Sequence, residues 1–306
     1  MPQPFNYGGQ AVIEGVLMRG SSHLTVAVRA PNGQIIVHEE PINSPLYNGS
    51  LSRIPFVRGL GLLWDSLGLG VRALNFSADI ALGGEAQFSG PLAGGTLALS
   101  LVMAIGLFFL LPAAAADGLH RLFGLDVPLA GNVIEGVIRL GLVIGYIWLI
   151  GRIPEIQRLF AYHGAEHKAI NAYEDGAPLT PDSVALYPLE HPRCGTGFLL
   201  VVVVISVVMF SLLGRPPILI RLLSRIVLLP IIAGISYEYI RLLARHIRNP
   251  IARILVRPQL ALQRLTTREP SLDMLEVSIT ALRHVLQAEN LPLPVQTAEP
   301  APAQVP

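Results

Sequence analysis

Two histidines and a glutamate in FAYHGAEHKAINAYEDG, residues 160–176, have a spacing typical of metal chemistry. His163 and His167 are four residues apart, so a helix places both imidazoles on one face, where they can bind the same ion. Glu166 lies between them and completes the pattern H-x-x-E-H, in which the glutamate can act as a general base on a metal-bound water. The segment therefore predicts a divalent metal site, with zinc as the favoured ion.

Two further side chains extend this motif. Glu174 lies one heptad beyond His167 and could be another ligand or an acceptor for an imidazole N–H. Lys168 is the only lysine among the 22 basic residues and could hold an anionic substrate or a developing oxyanion. We therefore assign Glu166 and Lys168 as catalytic candidates. The competing interpretation is a polar cytoplasmic helix whose histidines are only solvated.

A second pair of metal-ligating residues follows in HPRCGTGF, residues 191–198. His191 and Cys194 are three residues apart, and Cys194 is the only cysteine, which excludes an intramolecular disulfide. If His191 and Cys194 joined His163 and His167, four protein ligands would form a closed structural zinc site. Two histidines with one acid would instead leave the open position that hydrolysis needs. Both versions stay open, as does a packing role for Cys194.

Three other charged residues are weaker candidates. Glu14 is the only acid in the glycine-rich segment GGQAVIEGVLMRG, residues 8–20. Glu238 follows the last apolar stretch, and we interpret it as the partner of Arg241, three residues further along a helix. Arg193 lies within the second motif, between its histidine and its cysteine.

The composition indicates the class of protein that contains these motifs. Hydrophobic residues make up 52% of the 306 residues and charged residues only 14%, with a mean hydropathy of +0.54. The charged fraction of soluble domains is about 25%. The net charge is +1. These values argue against a soluble globular protein, a disordered protein and a nucleic-acid binder, and they favour an integral membrane protein.

Four apolar stretches predict a polytopic helical bundle of about four transmembrane helices. They cover residues 87–116, 133–150, 198–213 and 218–237. Each approaches or exceeds the length needed to cross about 30 Å of hydrocarbon. The last contains Pro230 and predicts a kinked helix. The second begins with Glu135 and Arg139, which we interpret as an ion pair near the membrane interface rather than a polar contact inside the bundle.

The arginine distribution predicts the orientation of these helices. Four spans place residues 1–86, 152–194 and 241–306 on one side of the bilayer and 117–132 and 214–225 on the other. The first side carries more arginine, which favours a cytoplasmic location for both termini and for the middle loop. The predicted location is the bacterial inner membrane, with the lipid bilayer as partner and no nucleic acid. A homo-oligomer or a membrane partner is compatible with this arrangement.

The remaining segments complete a mainly α-helical fold with a small N-terminal β element. Residues 24–40 alternate around Pro31-Asn32-Gly33 and predict a β-hairpin, whereas the glycines of 8–20 predict tight turns or a close approach of the backbone. Residues 56–82 predict a helix that lies on the membrane or re-enters it, and residues 271–287 predict an amphipathic helix. Thr266 and Thr267 are interpreted as a helix-start signal before the latter.

Domain boundaries follow from this organisation. An N-terminal hairpin and amphipathic helix occupy residues 1–86. The transmembrane bundle covers 87–241, and its motif loop, 152–197, is expected at the cytoplasmic face. A cytoplasmic helical segment covers 242–290, and a proline-rich tail, 291–306, is predicted to be disordered.

Five blocks in this order resemble the YqhQ-like family of bacterial membrane proteins of unknown function. They are GGQAVIEGVLMRG, YHGAEHKAINAYE, HPRCGTGF, SYEYIR and LQRLTTREPSLDMLEVSITAL. Members are often described as predicted metal-dependent enzymes, so the resemblance implies a metal site. The family pattern falls here on His163, Glu166, His167, Glu174, His191, Arg193 and Cys194.

The sequence therefore supports two main hypotheses of function. The first is a membrane-bound, metal-dependent hydrolase with Glu166 as base. The second is a non-enzymatic membrane scaffold or assembly factor, with structural zinc or no metal. A transporter ranks third, since the spans contain few charges and four spans make a small translocation unit. No substrate is indicated.

Overall fold

The fold is taken from a computed structural model, which describes residues 7–42, 56–83, 91–123, 128–213 and 216–294. It is mainly helical, with a four-stranded antiparallel sheet at the N-terminal end. The prediction of a helical membrane protein with a small N-terminal β element is thereby confirmed. The predicted disorder of the tail lies almost wholly outside the described residues.

The sheet is a meander of strands in the order β1-β2-β3-β4. The strands are β1 (Gly8–Val12), β2 (Gly15–Arg19), β3 (His23–Arg29) and β4 (Ile35–Pro41). The predicted hairpin around Pro31-Asn32-Gly33 is the β3–β4 pair, and Gly33 adopts the positive φ of 86° that its turn requires.

The first hairpin, β1–β2, extends the prediction of tight turns or close backbone approach over residues 8–20. Its two-residue connection is Ile13-Glu14, and Glu14 has a φ of 52°. A non-glycine residue with positive φ is uncommon, so this turn has no strong sequence signal. The glycine-rich segment therefore supplies half of the sheet.

Eleven α-helices are described in the chain outside the undescribed segments. They are α1 (Val57–Ala81), α2 (Pro91–Ile105), α3 (Leu111–Phe123), α4 (Pro128–Ile150), α5 (Pro154–Glu174), α6 (Pro181–Ala185), α7 (Gly195–Leu212), α8 (Ile218–Val227), α9 (Leu229–Arg245), α10 (Pro250–Gln263) and α11 (Leu272–Ala288). A single π-helical turn, Gly106–Leu110, joins α2 to α3.

Three of the described helical segments are long and apolar enough to cross a membrane. They are Gly94–Leu119, Gly131–Ile150 and Gly195–Leu212. Helices α8 and α9 make a fourth when taken together, although they bend by 42° at the break between them. The predicted kink occurs at Leu228, two residues before Pro230, because proline is accommodated only in the first turn of the new helix.

The structure corrects the interpretation of Glu135 and Arg139. They do form an ion pair, with Arg139 Nη2 2.7 Å from Glu135 Oε1, but both side chains are buried inside the bundle. Arg225 of α8 binds the same carboxylate, its Nη2 lying 2.5 Å from Glu135 Oε2. Arg139 also donates to Ser206 in α7 and to the Phe108 carbonyl. This buried ion cluster links four elements.

A separate core forms outside the bundle, where α11 packs against the sheet and against α5. Its buried members include Val16 and Met18 from the sheet, Ala165 and Ala169 from α5, and Leu282 from α11. The N-terminal and C-terminal segments therefore enclose the motif helix together.

Candidate metal centre

Helix α5 contains the first motif, and residues in its first turn determine where it begins. Pro154 occupies its first turn, where a missing N–H costs nothing, and Glu155 lies near the positive end of the helix dipole. The helix continues without a break to Glu174, so His163 and His167 share one face as predicted. Their ring centroids are 4.4 Å apart.

Three donor atoms converge beside this helix. His163, His167 and Cys194 each offer one ligand atom, and the three atoms lie within 4.8 Å of one another. His163 Nε2 and Cys194 Sγ are 3.2 Å apart. Two ligand atoms on a tetrahedral zinc lie roughly 3.3–3.6 Å apart, given Zn–N and Zn–S bonds of about 2.0–2.3 Å. The separation of His163 Nε2 and Cys194 Sγ therefore suits a zinc-sized ion, and the whole group lies within 4.8 Å.

Backbone carbonyls fix the orientation of both imidazoles. His163 Nδ1 is 2.9 Å from the Thr266 carbonyl oxygen, and His167 Nδ1 is 2.5 Å from that of Leu189. A carbonyl accepts but cannot donate, so each Nδ1 carries the proton and each Nε2 presents its lone pair to the site. Metal-binding histidines are held in this way by outer hydrogen-bond acceptors.

Cys194 reaches the site because of its position at the start of α7. It is the N-cap residue of that helix, and the Thr196 amide donates to its Sγ at 3.4 Å. The sulfur therefore lies at the positive end of the helix, between α7 and His163. This contact joins the two sequence motifs, which are 31 residues apart at these positions.

Glu166 occupies the same side of α5 as the two histidines. Its Oε2 is 4.0 Å from His163 Nε2 and 3.9 Å from His167 Nε2. Burial raises the pKa of the Glu166 carboxyl to about 7, although His163 and the Gly9 amide oppose the shift. A carboxyl with a pKa near neutrality can both accept and return a proton at physiological pH.

His191 approaches the site but is not one of the three convergent donors. Its ring centroid is 5.6 Å from that of His167. Its Nε2 is buried and has no hydrogen-bond partner among the described residues. Burial lowers the pKa of His191 to about 4, so the ring is neutral near pH 7. His191 therefore lies beside the donor group without belonging to it.

A cavity of about 80 Å³ brings these side chains together. Its lining includes Tyr7, Gly8, Gly9, His163, Glu166, His167, His191, Arg193, Cys194 and Gly195. Six of the ten residues singled out in the sequence therefore share one cavity. They are His163, Glu166, His167, His191, Arg193 and Cys194.

Glu174 lies beside this cavity without joining the donor group. It forms an ion pair with Arg193, and its Oε2 is 3.8 Å from His191 Nε2. Burial would raise the pKa of Glu174, but His191 and Arg193 outweigh that effect and hold it below its usual value. Glu174 is thus an ionised neighbour of His191, which agrees with the outer-acceptor role among its predicted alternatives.

Lys168 is directed elsewhere. Its Nζ donates to the Ala185 carbonyl at 2.8 Å and lies 2.6 Å from Glu269 Oε1. The cavity lining does not include it. One residue along a helix is a rotation of about 100°, which carries this side chain away from the histidine face. The geometry therefore gives Lys168 an anchoring contact with α6.

The two distant acids also have other partners. Glu14 pairs with Arg158, with Nε and Oε1 2.7 Å apart, and accepts a longer hydrogen bond from Tyr162. Glu238 pairs with Arg58 of α1, with Nε and Oε1 2.7 Å apart. The expected pair with Arg241 is therefore replaced by a contact between helices that are distant in sequence.

Comparison with known proteins gives the family. Residues 54–288 match the family described as "Protein of unknown function (DUF1385)". The chain belongs to this family. It is also 33% identical over 303 residues to "Uncharacterized protein YqhQ" of Bacillus subtilis (strain 168), covering 94% of each chain. No solved structure matches it. The resemblance drawn from the motifs is thereby confirmed, and neither description states a metal or a reaction.

Three residues that position the site in this DUF1385 member were missed by sequence reasoning. Gly9 packs so closely that a Cβ there would lie 2.9 Å from Glu166 Cγ. Gln263 donates to the His191 carbonyl and accepts from the His191 amide, both at 2.9 Å. Thr266, interpreted as part of a helix start, instead supplies the carbonyl that orients His163. Of these, only Gly9 had a signal in the sequence, since the glycines of residues 8–20 predict close backbone approach.

Gly164→Ala is expected to destabilise this site. A Cβ at Gly164 would overlap the Arg268 carbonyl oxygen and lie 2.7 Å from Leu189 Cδ2. Those neighbours belong to the two turns whose carbonyls orient His163 and His167. Overpacking of this kind costs about 1–3 kcal/mol. We expect a lower free energy of unfolding and weaker metal binding, measured by denaturant titration and by competition with a chelator.

Gly68→Ala is the matched control. Gly68 is also inside a helix, but a Cβ there meets no atom within 4 Å. Alanine should therefore be neutral or stabilising by up to about 1 kcal/mol. Equal destabilisation by both substitutions would mean that the close crossing at Gly164 does not position the site.

Proposed function

We propose that this protein is a membrane-bound, metal-dependent hydrolase. The observation that carries the proposal is the convergence of His163, His167 and Cys194, with the Glu166 carboxylate about 4 Å from both imidazole Nε2 atoms. Two histidines and a cysteine are a donor set that suits zinc. The cavity beside them leaves room for a water and a small part of a substrate.

The chemistry follows from three protein ligands rather than four. His163, His167 and Cys194 would hold a zinc ion, which would supply Lewis-acid activation of water at its open position. Glu166 is placed to accept a proton beside these donors and to return it to a leaving group. Arg193, at the cavity wall, is placed to orient an anionic or polar group of the substrate.

We further propose that the site faces the cytoplasm from a bacterial inner membrane. The arginine-rich segments adjoin the same ends of the apolar helices as the two motifs do. Positively charged segments remain predominantly on the cytoplasmic side during insertion. Both termini would then be cytoplasmic.

A structural zinc site in a non-enzymatic scaffold is the second candidate. The observation that favours it is the unpartnered His191 Nε2 beside the three donors. A fourth ligand would close the coordination shell and leave no position for substrate. His191→Ala separates the two candidates, because a closed site would lose its metal affinity whereas an open site would keep it.

The test begins with the full-length protein, purified in detergent, and its metal content. We expect about one equivalent of a divalent ion per chain, as the donor set requires. Glu166→Gln is expected to keep the metal, because Glu166 is not one of the three convergent donors. The same variant should fail to replace the wild type in a cellular complementation assay, since the amide is not a base.

His284→Ala provides the control, because His284 is half-exposed, pairs with Glu39 at 3.7 Å and is not one of the convergent donors. Metal-free wild-type protein that does not bind added zinc would contradict both candidates. Full complementation by metal-loaded Glu166→Gln would contradict the hydrolase and leave the structural site.

A further inference from the structure

Helix α10 has two faces of different character. Its buried face carries Ala252, Val256, Gln259 and Gln263, spaced as one stripe of a helix. Ala252 and Val256 pack against Leu243 at the end of α9. Gln259 lies against Gly197 at the start of α7. The helix is therefore anchored where two apolar spans end.

The outer face of α10 is apolar and exposed. Ile251 is 66% exposed, Ile254 61% and Leu255 45%. These residues and Pro258 have the i, i+3, i+4, i+7 spacing of one continuous stripe. At 14 residues the helix is about 21 Å long, which is too short to cross the hydrocarbon. Its apolar stripe must be covered in another way.

Arginines flank the stripe, and three of them have no acidic partner among the described residues. Residues 239–268 contain seven arginines and no aspartate or glutamate. Arg248, Arg253 and Arg257 are exposed, and none forms an ion pair with a described residue. A second copy of this chain would bring the same charges to a self-complementary interface, which like-charge repulsion disfavours. An anionic surface with an apolar interior fits both features.

We propose that α10 lies in the membrane–water interface and binds anionic phospholipids. Ile251, Ile254 and Leu255 contact acyl chains, and Arg248, Arg253 and Arg257 contact the phosphate groups. Helices of this composition lie with their apolar face at the headgroup boundary. The proposal does not depend on whether the site binds a metal.

One consequence concerns the cavity. The buried face of α10 supports it directly, since Gln263 holds the backbone of His191 at both its N–H and its C=O. A helix with its side chains is about 10 Å across, so the cavity lies roughly that far from the lipid surface. This consequence rests on the proposed function, and it favours substrates attached to the membrane.

The test uses a tryptophan reporter in the full-length protein. Trp64 and Trp148 are exposed and are the only tryptophans, so the W64F/W148F protein has no tryptophan fluorescence of its own. In that background, I254W reports on the stripe and Q287W on the exposed side of α11. The proteins are reconstituted into bilayers of phosphatidylcholine alone or mixed with phosphatidylglycerol, with brominated acyl chains as quenchers.

We expect brominated lipid to remove most of the I254W emission and little of the Q287W emission. Quenching of I254W should increase with phosphatidylglycerol, and R253Q/R257Q should abolish that increase. The proposal is overturned if I254W is quenched by aqueous acrylamide as fully as Q287W is. It is also overturned if brominated lipid quenches I254W no more than Q287W, the result expected when a second copy covers the stripe.

A second measurement uses the native stripe and covers the case in which I254W does not fold. Wild-type protein and R248Q/R253Q/R257Q are purified from the same phosphatidylglycerol-containing membranes, and bound lipid is counted by mass spectrometry. Loss of phosphatidylglycerol from the variant supports the proposal, and equal retention contradicts it. Neither measurement involves metal, so a failure of the proposed function remains distinguishable.

Discussion

Glu135→Ala is expected to lower the free energy of unfolding by about 3–5 kcal/mol, the range observed when one partner of a buried ion pair is removed. Among the described residues, Glu135 is the acid that pairs with both Arg139 and Arg225. Without it, two guanidinium groups remain in the low-dielectric interior of the bundle with no adjacent counter-charge. They cannot escape the penalty by deprotonation, because arginine stays charged in proteins.

The geometry shows why the surrounding groups do not compensate. Arg139 is 2% exposed and Arg225 1%, so water does not solvate either of them. The Phe210 ring lies 3.9 Å from the Arg225 guanidinium carbon and 5.6 Å from that of Arg139. Cation–π contacts of this kind contribute about 2 kcal/mol when desolvated, less than the carboxylate does.

The matched control is Glu190→Ala, which breaks an exposed pair with Arg264. Exposed pairs contribute about 0–1 kcal/mol. Unfolding is followed by circular dichroism during SDS titration of the detergent-solubilised protein. If Glu135→Ala unfolded at the same SDS fraction as Glu190→Ala, the cluster would not hold the bundle together.

His167→Ala is expected to weaken metal binding by more than about 100-fold. Mutating an outer-shell partner of a metal ligand already costs about 10–100-fold, and His167 is a direct ligand in the proposed site. Its imidazole is 1% exposed and held by the Leu189 carbonyl, so the substitution removes a donor whose orientation the fold has already set. Affinity is measured by competition with a chelator.

Cys194→Ser tests the ligand set by spectroscopy. Cobalt bound to the wild-type protein should show a thiolate charge-transfer band, because Cys194 Sγ is the only sulfur donor in the group. Serine should remove the band and preserve the N-cap of α7, since hydroxyl groups cap helices well. A wild-type cobalt complex without a thiolate band would exclude Cys194 and return the site to two histidines and an acid.

Local residue spacing was sufficient to predict several features of this protein. The i,i+4 spacing of His163 and His167 set their common face, and it did so because α5 is a regular helix. The apolar runs identified the spans, because a bilayer requires a fixed length of apolar helix. The Asn-Gly turn identified the β3–β4 hairpin, because its backbone geometry favours those residues.

The tertiary structure decided which partners these residues meet. Spacing could not show that Glu135 binds Arg225, 90 residues away, or that Glu238 binds Arg58, 180 residues away. It also could not show that Gly9 and Thr266, from opposite ends of the chain, enclose α5. Such contacts depend on how the apolar faces of distant elements pack together, and local residue spacing does not specify that packing.

The metal centre shows both contributions in one place. The sequence determined that two histidines share a face of one helix and that a lone cysteine begins another. Tertiary structure selected Cys194 rather than His191 or Glu174 as the third convergent donor. The physical reason is that ligand distances are fixed to tenths of an ångström. The connection 175–194, which contains the short helix α6, leaves the approach of α7 to α5 open until the whole core has packed.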